Sequence, residues 1–325
     1  MLVVGAGGVG SFVGGALVRA GYDVTFYGRG PHFDAIAAQG LDVSSARGTF
    51  HVSVATLDDL ENSPDFGVIL LAVKAHQIEP LAGRLGALAR AGSTIVTLQN
   101  GVPFWYFDGF GGRLEGARLQ SVDPGGTIAA AIDANSVIAC VVNAGNRVPR
   151  PGTVEHVGDA AYALGTPSGK LTPQVHDLVD ALTCAGLDPV ADINVRYTIW
   201  NKVVGNATLN PVSALTRATA QEIVDDEAIV GLMRDSMEEQ LATGRALGFE
   251  MPASAEAWVA ATRRYGDQRT SMLQDLEAGR ALELEPIAGA AIEIAGLLGI
   301  EVPATRRLYA LTRLLDGTSR RAGEA

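Results

Sequence analysis

The stretch Trp200 to Pro211 reads W-N-K-V-V-G-N-A-T-L-N-P, which sets Lys202, Asn206 and Asn210 at successive four-residue steps. At about 100° per residue each such step drifts by only about 40°, so on a helix one ammonium and two carboxamides share a face. Their neighbours Val203, Val204 and Leu209 are apolar. A solvated face would look similar, and composition shifts the balance. Of 25 Lys and Arg residues only three are lysine, namely Lys74, Lys170 and Lys202. Arginine is the ordinary surface cation of this chain. A lysine kept in such a background points to a use for a compact ammonium that can give up its proton, which a guanidinium does not do readily near neutral pH. The chemistry suggested is proton donation.

The elements that would position this stripe begin at Met1. A short apolar strand, Met1 to Val4, runs into Gly5-Ala6-Gly7-Gly8-Val9-Gly10 and then a helical pattern to Ala20, with Gly21 as its stop. Strand, glycine turn and helix in this order suit a dinucleotide pyrophosphate. The first glycine permits the turn, the second admits phosphate to backbone N–H groups, and the third lets helix pack on strand. Asp23 to Tyr27 reads as the second strand. An NAD enzyme usually ends that strand with an acid for the ribose 2′-hydroxyl; here Gly28 and Arg29 follow Tyr27, which favours the 2′-phosphate of NADP(H).

Alternation from Gly40 to Ala55 predicts further short strands, and Val68 to Val73 is a continuous apolar run suited to a parallel strand buried on both faces. Lys74 and Gln77 follow it, where a cofactor ribose or phosphate could be reached. Ser93 to Leu98 predicts another strand, and Asn100 beyond its end could reach nicotinamide or substrate. Strands over Val137 to Val142 and Gly152 to Val157, a helix from Thr172 to Ala185 and a strand from Asp188 to Ile193 complete an α/β region. From Val195 onward the pattern is helical, with a capping box at Thr219 and Glu222. A helix starting near Ser254 is expected to carry Ser271 and Asp275 late in its length, with Gly279 interrupting it, Glu283 following and Pro286 opening the next helix. The fold class is therefore α/β: an N-terminal Rossmann-type parallel-sheet domain over residues 1–193, then an all-α C-terminal domain over residues 194–325. The tail after Gly317 reads as disordered.

Composition removes several classes of function. A net charge of -11 with no basic stripe argues against a nucleic-acid partner. Cys140 and Cys184 form no C-x-x-C pair, so buried thiols in a reducing cytoplasm are expected. His76 and His156 stand alone, and no metal is implied. The longest apolar run is too short for a bilayer, and the opening segment lacks the basic flank of a secretory signal, so a soluble cytoplasmic protein is expected.

Taken in order, G-A-G-G-V-G with Arg29 after the second strand, V-K-A-H-Q, L-Q-N-G-V-P, W-N-K-V-V-G-N-A-T-L-N-P-V-S-A-L and S-M-L-Q-D-L-E-A-G-R-x-x-E resemble the ketopantoate reductase family over nearly the whole chain. The resemblance implies an NADPH-binding Rossmann domain joined to a helical domain, and reduction of 2-dehydropantoate to (R)-pantoate, a step toward pantothenate and coenzyme A. By motif position Lys202 looks like the proton donor, while Asn206, Asn210 and Ser271, with Asn100, look like substrate ligands. Glu283 corresponds to the acidic residue near substrate and nicotinamide. Gly5, Ala6, Gly7, Gly8, Val9 and Gly10, with Lys74 and Asn100, fall on the family's cofactor positions.

The chain departs from that pattern in places. Its first strand lacks the residues that usually precede it, which leaves a truncated start open. Gln268 stands where an asparagine is frequent, and Glu283-Leu284-Glu285 and Ala288-Gly289 replace the familiar E-I-D and Asn-Gly. The stretch from Phe104 to Gly126 has the look of an insertion. Three alternatives stay open: a paralogue reducing another branched 2-keto acid, a related dehydrogenase of amino or hydroxy acids, and a non-enzymatic NADPH-binding regulator. Helical second domains of this sort often supply dimer contacts, so a homodimer is also open.

Overall fold

In the computed structural model, which describes residues 1–324 apart from the side chains at positions 159 and 322–324, the chain forms two units. Residues 1–118 and 125–196 make the first; residues 119–124 and the chain from Tyr197 onward make the second. In chain order the first unit holds β1 (Leu2–Val4), α1 (Gly8–Arg19), β2 (Thr25–Tyr27), α2 (Pro31–Gln39), β3 (Leu41–Ser45), β4 (Gly48–Val52), β5 (Ala55–Leu57), β6 (Val68–Leu71), α3 (Ala82–Arg90), β7 (Thr94–Thr97), α4 (Thr127–Ala131), β8 (Val137–Arg150), β9 (Thr153–Gly165), α5 (Pro173–Cys184) and β10 (Pro189–Ala191).

The strands form one sheet in the order β4-β3-β9-β8-β7-β6-β1-β2-β5, with β10 beside β9. β1 pairs in parallel with β2 on one side and β6 on the other, so the winding reverses there. β7 continues the parallel series next to β6. The carboxyl ends of β1, β2, β6 and β7 therefore share one edge, the place where open α/β sheets bind ligands. Leu2, Val3, Val4, Ile69 and Leu71 are wholly buried, which explains why these strands read as unbroken apolar runs.

Beyond β7 the sheet is mixed rather than wholly parallel. β8 and β9 form a long antiparallel hairpin that turns at Gly152, whose φ is +77°. The short strands expected at 137–142 and 152–157 are only parts of it. Residues 137–142 are all buried, and burial then gives way to partial exposure toward the tip. Cys140 is buried as expected, whereas Cys184, the last residue of α5, is exposed.

The second unit is helical: α6 (Val195–Thr216) leads into it, followed by α7 (Ala220–Asp225), α8 (Glu227–Ala246), α9 (Glu256–Arg263), α10 (Ser271–Glu277), a π turn over Glu285–Gly289, α11 (Ala290–Leu298) and α12 (Pro303–Glu324). The capping box is formed: Thr219 Oγ1 accepts from Glu222 N–H at 3.3 Å, and Glu222 Oε2 accepts from Thr219 N–H at 2.8 Å. The single helix expected from Ser254 through Asp275 is instead two, α9 and α10. Gly266 at φ +54° breaks the first, and the Thr270 hydroxyl caps the second by accepting from Leu273 N–H at 3.2 Å. The chain past Gly317 is helical to Glu324, a glycine inside a helix costing only about 1 kcal/mol; Ala325 lies outside the described residues.

Large side chains and small ones lock α6 to its neighbours. Trp200 is wholly buried, and its indole Nε1 donates to the Gln240 carbonyl at 3.1 Å. Gly244 on α8 makes room for it, since a Cβ there would lie 2.6 Å from that nitrogen. Two carboxylates do similar work elsewhere. Glu239 accepts from Ala304 N–H, Thr305 N–H and the Thr305 hydroxyl at 2.7, 2.9 and 2.7 Å, capping α12. Glu293 accepts from Gln120 N–H, Ser121 N–H and the Ser121 hydroxyl at 2.7, 2.9 and 2.7 Å, and so fastens residues 119–124 to α11. Among the described residues no helix is long and apolar enough to cross a membrane.

The turn between β1 and α1 separates the roles of its glycines. Gly5 adopts φ +106°, and a Cβ on it would sit 2.6 Å from Val73 N. A Cβ on Gly10 would run into the Gly5 carbonyl oxygen, whereas one on Gly7 meets nothing within 4 Å. Gly10→Ala is expected to lower stability in urea unfolding by about 1–3 kcal/mol, the usual cost of overpacking. Gly7→Ala should stay within about 0.5 kcal/mol of the parent. Equal losses at the two positions would contradict this division.

Candidate active site

The sheet edge of the first unit gathers most of the residues singled out for a cofactor. The glycine turn follows β1, Arg29 follows β2, Lys74 follows β6 and Asn100 follows β7. Gly7 is exposed and bordered by open space, while Gly5, Ala6, Gly8 and Val9 are half-buried and Gly10 is buried. A pyrophosphate requires backbone N–H groups that it can approach closely, and α1 begins there with no side chain capping it. The space at Gly7 thus fits the dinucleotide that the turn implies. Arg29 is exposed between Gly28 and Gly30, with no acid at that strand end.

Several neighbours of these residues brace the backbone. Gln99 Nε2 donates to the carbonyls of Leu71 and Val73 at 2.6 and 3.2 Å, tying the end of β6 to the segment that presents half-buried Asn100. Gln77 turns back on its own loop, its Oε1 accepting from Lys74 N–H at 3.1 Å. His32 on α2 accepts from Gly152 N–H through Nδ1 at 3.0 Å. A backbone N–H can only donate, so the neutral ring carries its proton on Nε2, which donates to the buried Ser11 hydroxyl at 3.1 Å. Sequence reading passed over Gln99 and His32, because the partners of each lie far away along the chain.

In the second unit α6 carries Lys202, Asn206 and Asn210 in one row. Lys202 and Asn206 are half-buried, and Asn210 is only 4% exposed. The Asn210 Nδ2 is buried with no hydrogen-bond partner. An unmet donor of this kind costs about 1–3 kcal/mol, so its retention calls for an acceptor from outside the chain. Ser271 is exposed in the first turn of α10, and Glu283 is half-buried between α10 and the π turn. A side chain the sequence did not single out is Trp258 on α9. Its indole Nε1 donates to the Asn201 carbonyl at 3.3 Å, next to Lys202, and its Cδ1 lies 3.6 Å from where a Cβ on Gly205 would be. A glycine in the middle of α6 was the available sign that a bulky group approaches there.

An open glycine turn where a parallel sheet reverses its winding marks a dinucleotide-binding fold. Residues 1–104 match the family model for ketopantoate reductase PanE/ApbA, and residues 194–316 match the model for the ketopantoate reductase PanE/ApbA C terminal. The chain belongs to the ketopantoate reductase family. It is 38% identical over 315 residues to a 2-dehydropantoate 2-reductase of Mesorhizobium japonicum, covering 96% of each chain. A crystal structure from Ralstonia solanacearum MolK2 superposes with a TM-score of 0.91 at 34% identity and covers 98% of this chain and 97% of that one. A D-mandelate dehydrogenase solved with NADH and anilino(oxo)acetate shares the fold, with a TM-score of 0.83 at 19% identity, over 98% of this chain and 99% of that one.

Two measurements follow from the buried groups. Asn210→Leu removes the unmet donor and keeps the branched arrangement of heavy atoms, so its urea midpoint is expected to equal or exceed that of the parent; a loss above about 1 kcal/mol, beyond what the larger methyl groups cost, would show that the amide is structural. Burial holds the His32 pKa below its ordinary value. The unfolded chain, with its histidine near pH 6.5, therefore takes up the proton first, and the stability contributed by the neutral ring is lost as pH falls through that value. His32→Asn should flatten the fall in stability below about pH 6.5, and an unchanged slope would show that another group sets it.

Proposed function

We propose that this chain reduces 2-dehydropantoate to (R)-pantoate with NADPH, and that Lys202 supplies the proton. The observation that carries this reading is the α6 row, in which the ammonium of Lys202 is followed by Asn206 and by a buried Asn210 amide that lacks a partner in the chain. The bound nicotinamide supplies a hydride to the C2 carbonyl carbon of the keto acid. As the carbonyl π electrons move onto oxygen, the Lys202 ammonium stabilises the growing charge and transfers a proton to it, leaving a neutral amine that solvent reprotonates. Asn206 and Asn210 bind the substrate carboxylate or hydroxyl without adding charge, Ser271 contributes a hydroxyl, and Glu283 bonds a substrate hydroxyl or orients Lys202.

For the cofactor, Arg29 stands where an acid would hold an unphosphorylated ribose, which supports NADPH over NADH. Gly5, Gly7 and Gly10 shape the pyrophosphate turn, and Lys74 and Asn100 reach the ribose or nicotinamide. A second reading keeps the Lys202 chemistry and changes the substrate to another branched 2-keto acid. Gln268, Glu285 and Ala288, at positions where the family pattern differs, favour it.

The test is dinucleotide oxidation by purified protein with 2-dehydropantoate beside pyruvate, 2-oxoisovalerate and other branched 2-keto acids, with NADH as the cofactor control. Selective turnover of 2-dehydropantoate with NADPH is expected. Lys202→Ala should lower kcat by about 10²–10⁴-fold while NADPH still binds. Undiminished turnover would remove the role assigned to the lysine, and NADPH binding without turnover of any keto acid would replace the enzyme with a cofactor-sensing protein.

A further inference from the structure

The residues around Glu283 have no regular element to hold them. α10 ends at Glu277, Gly279 turns the chain with φ +64°, and the π turn begins at Glu285. Such a segment keeps one shape only if its backbone groups find tertiary partners. Groups on both sides of Glu283 find partners, some within the segment and one on each side from α12. On the N-terminal side Arg280 N–H donates to the Asp275 carbonyl at 2.9 Å, and Arg280 Nε donates to the Asp275 carboxylate at 2.8 Å. Leu282 N–H then donates to Asp316 Oδ1 on α12 at 3.3 Å.

On the C-terminal side the Leu284 carbonyl accepts from Ala288 N–H at 2.9 Å and from Gly289 N–H at 3.1 Å, the second bond being the five-residue closure of the π turn. Glu285 Oε1 accepts from the Tyr309 hydroxyl at 2.7 Å, again on α12. A Cβ on Gly289 would lie 2.6 Å from Glu285 Oε2, so this glycine keeps space for the carboxylate. Leu282 and Leu284, the two neighbours of Glu283, are both buried. Tyr309 and Asp316 lie about two helical turns apart and project from one face of α12. One helix therefore holds the backbone one residue before Glu283 and the side chain two residues after it.

We propose that Asp316 and Tyr309 are positioning residues for Glu283, and that α12 acts as the frame for the acidic arm of the active site. This rests on the assignment of Glu283 to the reaction made above. A reacting group displaced by about 1 Å can cost about 10²-fold in rate, and loss of the Asp316 acceptor frees the backbone one residue from Glu283.

The experiment is a double-mutant cycle read in kcat, in keto-acid KM and in NADPH affinity, with the keto acid that the protein turns over best. Asp316→Ala is expected to lower kcat about tenfold and leave NADPH affinity unchanged, and Asp316→Asn, which keeps an acceptor oxygen, should restore most of it. In a Glu283→Gln background Asp316→Ala should cost less than about twofold more, because the group it positions is already disabled. Losses that multiply in the double variant, or a wild-type kcat in Asp316→Ala beside a slow Glu283→Gln, would overturn the inference alone. Wild-type turnover by Glu283→Gln would overturn the assignment of Glu283 and the inference with it. Tyr309→Phe removes one hydroxyl and runs through the same cycle with the same expectations, so the test stands even where Asp316→Ala does not fold.

Discussion

The first unit takes its shape around the absence of a side chain at residue 10. The Gly5 carbonyl oxygen fills the volume where a side chain would begin, so α1 rises directly from the end of β1. The same closeness recurs one turn on, where Gly14 leaves space for the ring of Phe26 on β2. Helix and sheet approach through backbone rather than side chains, which places the first N–H groups of α1 at the edge where β1, β2, β6 and β7 end. Gln99 and His32 reinforce that edge with bonds to carbonyl and N–H groups of neighbouring segments. The order of the turn is thus set by excluded volume first and by hydrogen bonding second.

The helical unit solves a different problem. α6 has to be apolar enough to sit among other helices while carrying Lys202, Asn206 and Asn210 along one line. Its apolar side is secured by Trp200 against Gly244 and by a buried hydroxyl chain, in which Thr208 meets Ser236 at 2.9 Å and Ser236 meets Thr305 at 3.1 Å. Its polar side ends in Asn210, just before Pro211, a residue with no N–H for the helical ladder. A buried amide left unmet beside a proline is poor design for stability alone, and functional sites are where such local conflicts are expected.

Much of this was legible in the residues. The glycine turn, the Lys202 row and the buried parallel strands are written in spacing of a few residues, where backbone sterics and helical period act without help from the rest of the chain. What escaped depends on pairing across long separations. The hairpin of β8 and β9 reads as two short strands, because the pattern of burial changes where the strands leave the core. The gap between α9 and α10 hides in a run with good helical propensity, and only Gly266 and the Thr270 cap mark it. The bonds from α12 to the segment around Glu283, and from Trp258 to α6, join residues that no local pattern connects.

The segment fastened by Glu293 changes what counts as a domain in this protein. Residues 119–124 belong with the helices although the chain on either side belongs with the sheet, so the polypeptide passes between the units at 118/119, 124/125 and 196/197. Neither unit is an uninterrupted stretch of sequence. A fragment ending at Arg196 would carry a loop whose capping carboxylate had been removed, and a fragment starting at Tyr197 would leave Glu293 without the N–H groups it binds. Maturation of the helical unit is in this sense co-dependent with synthesis of the sheet unit: the ribosome delivers residues 119–124 first, and they wait for α11 to be made.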